Sequence, residues 1–488
     1  MRHRSSLSTI LASVLVSCLA AHVSRAQTQR LTLRDVIAIA QRQGFQAQMA
    51  VDARDASRAR DRSFGANLLP QISLGGNLPV YNRSIVPVVQ PDGSTLFRAQ
   101  QQNQSSLTMN VTQQLPFTGG QLVMSSGLSR VDVIGASTSR TWSGTPFSIG
   151  IRQSLLRSNS ASWDAREQGL RADISERQYL EAREDAAIAA ATAFFDVFEA
   201  QSTLDNALSN AAVNDTLYTL NKGRFEVGKI GENDLLSSEL QLLRARTAVD
   251  GARLNLDRAL AALRLQLGLP IASSVELVPP DDIPDVQVDT LLAVTQAMRN
   301  SSTVRNAEFQ DVDAERRVSE ARFNSGPGAT IQASVGFNQT GPEAPAVYKN
   351  LLEAQTYSVG VQVPLWQWGA HGAQVQAAKL DQHRATLGSR QSREQTAQDA
   401  HFAALQLGLS RRQLELSAKA DTVANKSFDV ASHRYVIGRI SLNDLFTAQT
   451  AKDQAVLSYV QALRGYWTAY YRLRRVTLFD FIAGREIR

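Results

Sequence analysis

Short segments of the chain alternate apolar residues with small or polar ones, the period of a β-strand with one apolar face. Two such segments lie in each half, and their apolar positions are Ile72, Leu74, Leu78, Val80, Phe147, Ile149, Ile151, Leu155, Ile331, Ala333, Val335, Phe337, Val359, Val361, Val363 and Leu365. Two further alternating segments, 107–115 and 122–128, flank a turn at 116–120. The pattern therefore predicts at least four strands, and six with the additional pair.

Helical periodicity covers most of the remaining sequence. It predicts opening helices over 31–63 and 289–323, very long helices over 164–221 and 371–431, and return helices over 233–268 and 443–476. The long helices are rich in alanine and poor in large apolar residues. A hairpin of this kind needs neighbouring hairpins to bury its apolar stripe, so the pattern predicts an oligomer.

The second half of the chain repeats the first. The segment RFEVGKIGENDL at 224–235 returns as RYVIGRISLNDL at 434–445, an offset of 210 residues. A repeat of this length indicates a duplicated architecture. The predicted domains are a first structural repeat over 27–268 with its hairpin turn near 225–234, a Pro-containing linker over 269–288, and a second repeat over 289–488 with its turn near 435–444.

The first 26 residues have the pattern of a signal peptide. Arg2, His3 and Arg4 precede an apolar run, and Ser24-Arg25-Ala26 fits a cleavage site. An alternative is lipidation of Cys18 within Leu15-Val16-Ser17-Cys18. Cleavage after Ala26 removes the only cysteine and three of the 51 basic residues, which leaves a net charge of +3 against 45 acidic ones. That charge is too small to indicate a nucleic-acid partner.

The strand pattern alone favours a soluble sandwich with a solvated outer face over a membrane sheet. No later stretch reaches the roughly 18 apolar residues of a spanning helix. Export favours a membrane β-barrel with apolar side chains outward. Aromatic residues at predicted strand ends, which could form an interfacial girdle, also favour it. They are Tyr81, Trp142, Phe147, Tyr357, Trp366 and Trp368.

Enzyme chemistry finds no support in the sequence. Beyond the signal peptide the histidines are His371, His383, His401 and His433, and they have no metal-ligand spacing. The chain also lacks a Gly-rich phosphate loop, a nucleophile elbow and an HExxH motif. We therefore expect no enzymatic activity, no cofactor and no metal.

The repeated segment has the features of a turn between two helices. Gly228 and Gly438 are placed to end the outgoing helices, and Asn233-Asp234 and Asn443-Asp444 to begin the return ones. Asn is a favourable N-cap, and an acidic residue in a first helical turn is stabilised by the helix dipole. Helix capping alone therefore explains both aspartates.

In the order and duplication of these elements, the chain resembles the TolC-type outer-membrane efflux factor family. The resemblance covers residues 31–474 and rests on the Leu69-Pro70 strand entry and the two Val/Ile-Gly turns. It implies an α+β membrane protein in which three chains form one transmembrane β-barrel continued by a long periplasmic α-helical coiled-coil barrel. It also implies a passive exit duct in the outer membrane, working with a periplasmic adaptor and an inner-membrane transporter in efflux or type I secretion.

The resemblance also implies roles for the turn residues. Val227, Gly228, Lys229, Ile437, Gly438 and Arg439 match the turns that meet the adaptor, and Asp234 and Asp444 match acidic positions at the pore constriction. Some relatives carry another Asp one helical turn after the second of these, where this chain has Thr447, with Ser237 at the corresponding place in the first turn. The additional strand pair departs from the four strands per chain of the best-known members. The alternative function is a periplasmic coiled-coil adaptor or structural protein without a barrel.

Overall fold

The computed structural model describes residues 29–134, 138–280 and 283–488. The predicted signal peptide over 1–26 and Cys18 lie outside the described residues. No helix within the described residues is both long enough and apolar enough to cross a membrane.

The chain order alternates strands with helical hairpins in both halves. The first half contains β1 (Gln29–Leu31), α1 (Leu33–Gln43), α2 (Phe45–Asn67), β2 (Gln71–Val89), β3 (Thr95–Leu115), β4 (Gly120–Ile134), β5 (Ser139–Leu155), α3 (Ser160–Glu226) and α4 (Glu232–Leu267). The second contains β6 (Val275–Leu277), α5 (Thr290–Asn300), α6 (Ser302–Asn324), β7 (Gly328–Gly341), a 3₁₀ turn (Ala344–Tyr348), β8 (Leu352–Gln362), α7 (Ala370–Val436) and α8 (Leu442–Thr477), followed by the two-residue strands β9 (Phe479–Asp480) and β10 (Arg485–Glu486). The predicted α+β fold is confirmed.

The structure divides into two compact units. The hairpin unit comprises residues up to Val51, Leu180–Gln296 and Asp399–Arg488, and the sheet unit comprises Asp52–Tyr179 and Ala297–Gln398. Both long helices, α3 and α7, contribute residues to each unit.

The sheet unit contains one antiparallel sheet of six strands, in the order β2-β3-β4-β5-β7-β8. The additional pair, β3 and β4, joins this sheet, so the six-strand alternative is correct within the described residues. Each strand pairs with its neighbour along the chain, and β5 and β7 join the two halves through pairs such as Ile149 with Val335. Each of the pairs β2–β3, β4–β5 and β5–β7 contains one register shift. The shift in β2–β3 places Val80, which pairs with Gln104, on the other face from Ile72 and Leu74, so the prediction that these residues share a face was wrong for Val80.

The predicted alternation places apolar side chains on one face of this sheet, because residues paired across strands share a face. We call this set the apolar band; it comprises Ile72, Leu74, Leu107, Met109, Val111, Leu122, Met124, Leu128, Phe147, Ile149, Ile151, Ile331, Ala333, Val335, Phe337, Tyr357, Val359 and Val361. The opposite face carries small and polar residues such as Ser125, Ser148 and Gln332.

Several expectations at the strand ends were wrong. Val363 and Leu365 lie beyond β8, which ends at Gln362, two residues before Pro364, a residue without a ladder N–H. Tyr81, Phe147 and Tyr357 lie inside β2, β5 and β8 rather than at their ends, because these strands are longer than the alternating segments suggest.

The opening helices are each interrupted, where the sequence predicts continuous ones. The break between α1 and α2 is at Gly44, where a Cβ atom would lie 2.6 Å from the Ala40 oxygen and 2.9 Å from the Gln266 oxygen. This close approach of two backbones admits only glycine. The second break is at Ser301, whose hydroxyl accepts a hydrogen bond from the Thr303 N–H and caps α6.

The core of the hairpin unit lies where α1, α3, α7 and α8 meet. Its largest fully buried side chains include Phe194, Phe195, Leu407, Tyr466 and Tyr470. The linker contributes to the same core, because β6 pairs in parallel with β1 and buries Leu277. The alanines of α3 are buried among these aromatic rings, which lets the helices approach closely.

Candidate functional site at the hairpin turns and the sheet face

The two hairpin turns in the hairpin unit have the same backbone. Gly228 and Gly438 follow the ends of α3 and α7 with φ of 71° and 75°. The next residues, Lys229 and Arg439, donate backbone hydrogen bonds to the oxygens of Arg224 and Arg434 at 2.8 and 2.9 Å. This is the Schellman arrangement, in which glycine takes the left-handed conformation and the chain reverses sharply.

The starts of the return helices differ, and the expectation of Asn N-caps was wrong. The N-cap of α4 is Gly231, which has no side chain to cap with, and the N-cap of α8 is Ser441. Asn233 and Asn443 lie one residue inside their helices. The pattern Ser441-x-x-Asp444 could have revealed this cap, because a hydroxyl followed three residues later by an acid is a capping box.

The two candidate gate aspartates have different surroundings. Asp444 accepts hydrogen bonds from the Ser441 hydroxyl at 2.7 Å and the Ser441 N–H at 3.0 Å. These bonds stabilise the carboxylate and lower the pKa of Asp444. Asp234 is exposed, and its carboxylate has no hydrogen-bond partner in the part of the chain that is described. The structure thus gives Asp444 a capping role and leaves Asp234 free for another one.

The candidate adaptor residues are all at the surface. Val227 and Ile437 are 67% and 65% exposed, and Gly228, Lys229, Gly438 and Arg439 are exposed beside them. Each turn therefore presents one apolar side chain next to one cation. Such pairs suit a protein partner, because an isolated apolar side chain gains from burial while the cation orients the contact.

The two hairpins contact one another next to their turns. The Tyr435 hydroxyl on α7 donates a hydrogen bond to Asn221 Oδ1 on α3 at 2.8 Å, and both side chains are buried. Arg224 donates to the Val436 oxygen at 3.1 Å, and its guanidinium lies 5.3 Å from the centre of the Tyr435 ring. Leu217 and Leu445 pack beneath Tyr435 in a small apolar cluster. We call the contacts of Tyr435 and Val436 with Asn221 and Arg224 the latch. The sequence did not predict the latch, because it joins residues more than 200 positions apart.

A polar cavity of about 430 Å³ lies between α3, α4 and α8 in the same unit. Its lining includes Asn206, Asn210, Gln449 and Asp453. Asn210 Nδ2 donates to Asp453 Oδ2 at 2.5 Å. Burial raises the pKa of Asp453, and the hydrogen bond from Asn210 opposes that rise. The hairpins are thus separated by a polar space here and packed tightly at the latch.

A buried ion network lies at the other end of α8. Arg474 donates to Glu184 Oε1 at 3.0 Å and to Asp480 Oδ2 at 3.1 Å, and the Tyr470 hydroxyl donates to Asp480 Oδ1 at 2.8 Å. Glu184 is only 1% exposed. Burial raises the pKa of Glu184, and the Arg474 charge limits the rise. The network fixes the segment after α8 against α3.

The apolar band of the sheet unit is exposed. Ile72, Leu74, Tyr357, Val359 and Val361 are each about two-thirds exposed or more. An apolar surface shared by six strands is typical of a membrane or protein-interaction surface. Within the described residues, no cluster of three or more His, Cys, Asp or Glu side chains is placed to hold a metal ion.

Comparison with known proteins agrees with this geometry. Residues 293–477 match the family model described as outer membrane efflux protein. The second half of the chain is therefore similar to this family. The resemblance predicted from the sequence is confirmed, and the matched family is one of efflux proteins rather than of enzymes.

The chain has the fold of solved outer membrane channels. CmeC of Campylobacter jejuni superposes with a TM-score of 0.66 at 16% identity, over 93% of this chain and 86% of CmeC. VceC of Vibrio cholerae gives 0.66 at 13% identity, over 93% and 97%. Protein CyaE of Bordetella pertussis is 24% identical over 324 residues, 65% of this chain and just under two thirds (66%) of that protein.

Proposed function

We propose that this chain is the outer-membrane exit duct of a tripartite efflux or type I secretion system. It conducts substrates passively from an inner-membrane transporter, which supplies the energy, across the periplasm and the outer membrane. It is not an enzyme and needs no cofactor. The sheet unit forms the membrane part, and the hairpin unit lies in the periplasm.

The apolar band is the observation that carries this proposal. Its side chains are exposed on β2, β3, β5, β7 and β8 and partly exposed on β4, while the residues that alternate with them, such as Ser125, Ser148 and Gln332, are small or polar. Hydrocarbon contact on one face and water on the other is the pattern of a transmembrane barrel strand. In a periplasmic adaptor without a barrel, this apolar face would be exposed to water.

The outer helices of the hairpin unit supply the argument for an oligomer. Helix α3 contacts α4 through Ala207 and Val249, and it contacts α8 through the ion pair Asp196–Arg464. Exposed apolar residues remain on the two flanking helices, α4 and α7. They include Leu236, Leu240, Leu243 and Leu254 on α4, and Phe402, Leu409, Leu416, Val423 and Val430 on α7.

The stripe on α7 repeats every seven residues, the period of a left-handed coiled coil. Two different unpaired stripes on one chain favour head-to-tail association, which closes into a ring. With the family resemblance, we infer a homotrimer whose hairpins form one helical tunnel and whose sheets form one barrel. The edge strands β2 and β8 then pair between chains.

The hairpin turns are the periplasmic mouth in this proposal. Val227, Lys229, Ile437 and Arg439, with the two glycines, meet the adaptor. Asp234 and Asp444 line the constriction, where three copies bring six carboxylates together and favour cations. Their mutual repulsion is opposed by contacts such as the latch, and adaptor docking opens the mouth.

Fractionation of cells and electrophoresis of unheated samples test the proposal. We expect the chain in the outer membrane as a trimer that dissociates on heating. Leu416→Glu should abolish the trimer, because it places a charge in the α7 stripe. Thr422→Glu, an equal charge change at an exposed position beside the stripe, should leave it intact. A soluble periplasmic monomer would refute the duct and favour an adaptor.

A further inference from the structure

A charged cluster lies on the same face as the apolar band, toward the sheet end remote from the helices. Along β4, Leu128, Arg130 and Asp132 share one face, and β4 pairs with β3 without a register shift. Across β5, Arg130 is opposite Trp142 and Asp132 is opposite Arg140. The face therefore changes from apolar to cationic within one or two residues.

Two arginines share one carboxylate in this cluster. Asp132 Oδ1 accepts from Arg130 Nε and from Arg140 Nε, both at 3.0 Å, and Arg130 Nη2 also contacts Asp132 Oδ2. The Arg130 guanidinium lies 5.6 Å from the centre of the Trp142 ring. Asp132 is 17% exposed, whereas Arg130 and Arg140 are 34% and 58% exposed. The carboxylate is covered while the cations face outward.

The cluster keeps unused donors and a positive charge. Within the described residues, Arg140 donates to Asp132 through Nε alone. Both of its Nη groups can therefore donate hydrogen bonds to a ligand. Arg83 adds a further cation on this face. It pairs with Gln101 on β3, and Gln101 lies on the same face of that strand as Leu107 and Met109. Tyr81 lies on the same face next to Arg83.

We infer that this cluster binds the phosphate group of an acylated, anionic lipid in the outer leaflet, and the inference rests on the proposed membrane function. Guanidinium groups form charge-assisted, often bidentate hydrogen bonds with phosphate. The adjoining apolar band accepts the acyl chains, and Trp142 and Tyr81 lie at the boundary where amphipathic rings are favoured. Free phosphate would use the arginines without the band.

Native mass spectrometry of the purified trimer tests the inference. The probe is a phosphorylated outer-leaflet glycolipid, with the same lipid after dephosphorylation and inorganic phosphate as separate arms. We expect Arg130→Gln/Arg140→Gln to weaken glycolipid binding by about tenfold or more, since two charge-assisted contacts are lost. Arg98→Gln is the matched control, because Arg98 lies near the same end of the sheet on the opposite face.

A second variant separates binding from a purely structural ion pair. Asp132→Asn removes the competing anion, so it should strengthen glycolipid binding while it weakens the local ion pairs. Equal binding by the wild type and the double variant, or equal binding of the dephosphorylated lipid, would overturn the inference. Inorganic phosphate that binds as tightly as the glycolipid would show that the acyl chains add nothing to the affinity. That result would overturn the lipid assignment. Channels that conduct but retain no lipid would refute this inference and leave the proposed function standing.

Discussion

Tyr435 and Asn221 join the two hairpins through one buried hydrogen bond of 2.8 Å. They lie close to the turns, and they are only 5% and 1% exposed. The Asn221 Nδ2 group has no hydrogen-bond partner within the described residues. The hydroxyl of Tyr435 is therefore the principal polar partner that holds Asn221 between the hairpins.

Tyr435→Phe should loosen the latch. It leaves the Asn221 oxygen buried without a donor, which costs roughly 1–3 kcal/mol. We expect a lower melting temperature and a higher single-channel conductance in the resting state, before an adaptor binds. Tyr218→Phe is the control. Tyr218 lies on α3, the helix of Asn221, and its hydroxyl makes no hydrogen bond within the described residues. Equal conductance in the wild type and Tyr435→Phe would show that the latch does not restrain the mouth.

The two aspartates at the mouth should respond differently to substitution. Asp444→Ala removes the capping box of α8, so it should lower helix stability as well as cation preference. Asp234→Ala should lower cation preference alone. Single-channel reversal potentials and thermal melts of both variants measure these effects. The gate assignment fails if selectivity and conductance stay unchanged in the double variant.

The Asp444 cap should also depend on pH. Because its pKa is lower in the folded chain, the stabilisation is present above the ordinary carboxyl pKa of about 3.9 and is lost as pH falls through the folded value. The protection of the amides at the start of α8 against hydrogen exchange, corrected for the intrinsic exchange rate at each pH, should therefore fall in acid. The start of α4 provides the internal comparison. Its N-cap, Gly231, has no side chain to titrate, so no loss of a cap is expected there in acid.

Arg474→Met should strongly destabilise the hairpin unit. It leaves Glu184 as an uncompensated buried charge, at a cost of about 3–5 kcal/mol. Burial already raises the pKa of Glu184, and loss of Arg474 raises it further. Since a raised carboxyl pKa favours folding at low pH, the variant should lose stability more steeply than the wild type as pH rises above the ordinary glutamate pKa of about 4.3.

Two variants control the Arg474 experiment. Adding Glu184→Gln should restore much of the stability of Arg474→Met and flatten its pH profile. Arg246→Met should cost about 0–1 kcal/mol, because the Arg246–Asp215 pair is 63% and 58% exposed. Similar losses in Arg474→Met and Arg246→Met would contradict a special role for the buried network.

Charges at the turns should weaken adaptor binding without unfolding the chain. Val227→Glu and Ile437→Glu alter exposed side chains that pack against nothing in the core, so melting temperatures should stay within about 1 °C, as for neutral surface changes. Co-purification with a crosslinked periplasmic adaptor should fall in both. Undiminished adaptor recovery in the double variant would refute the docking role of the turns.

Local patterns predicted most of the fold because the periods of strands and helices are set by neighbouring residues. The alternation at Ile149 and Val335 placed two strands correctly, and the long helices extend only a few residues beyond their predicted bounds. The break at Gly44 was missed because a distant backbone, that of Gln266, imposes it. The latch at Tyr435 was missed for the same reason, since its partner lies far away in sequence.

Single-channel recording from the purified trimer in a planar bilayer distinguishes an outer-membrane duct from a soluble protein. We expect a stable, cation-preferring conductance in the wild type, an increase in Tyr435→Phe, and no stable channel in Leu416→Glu. A purified chain that neither inserts nor conducts, while it remains folded and soluble without detergent, would contradict the proposed duct.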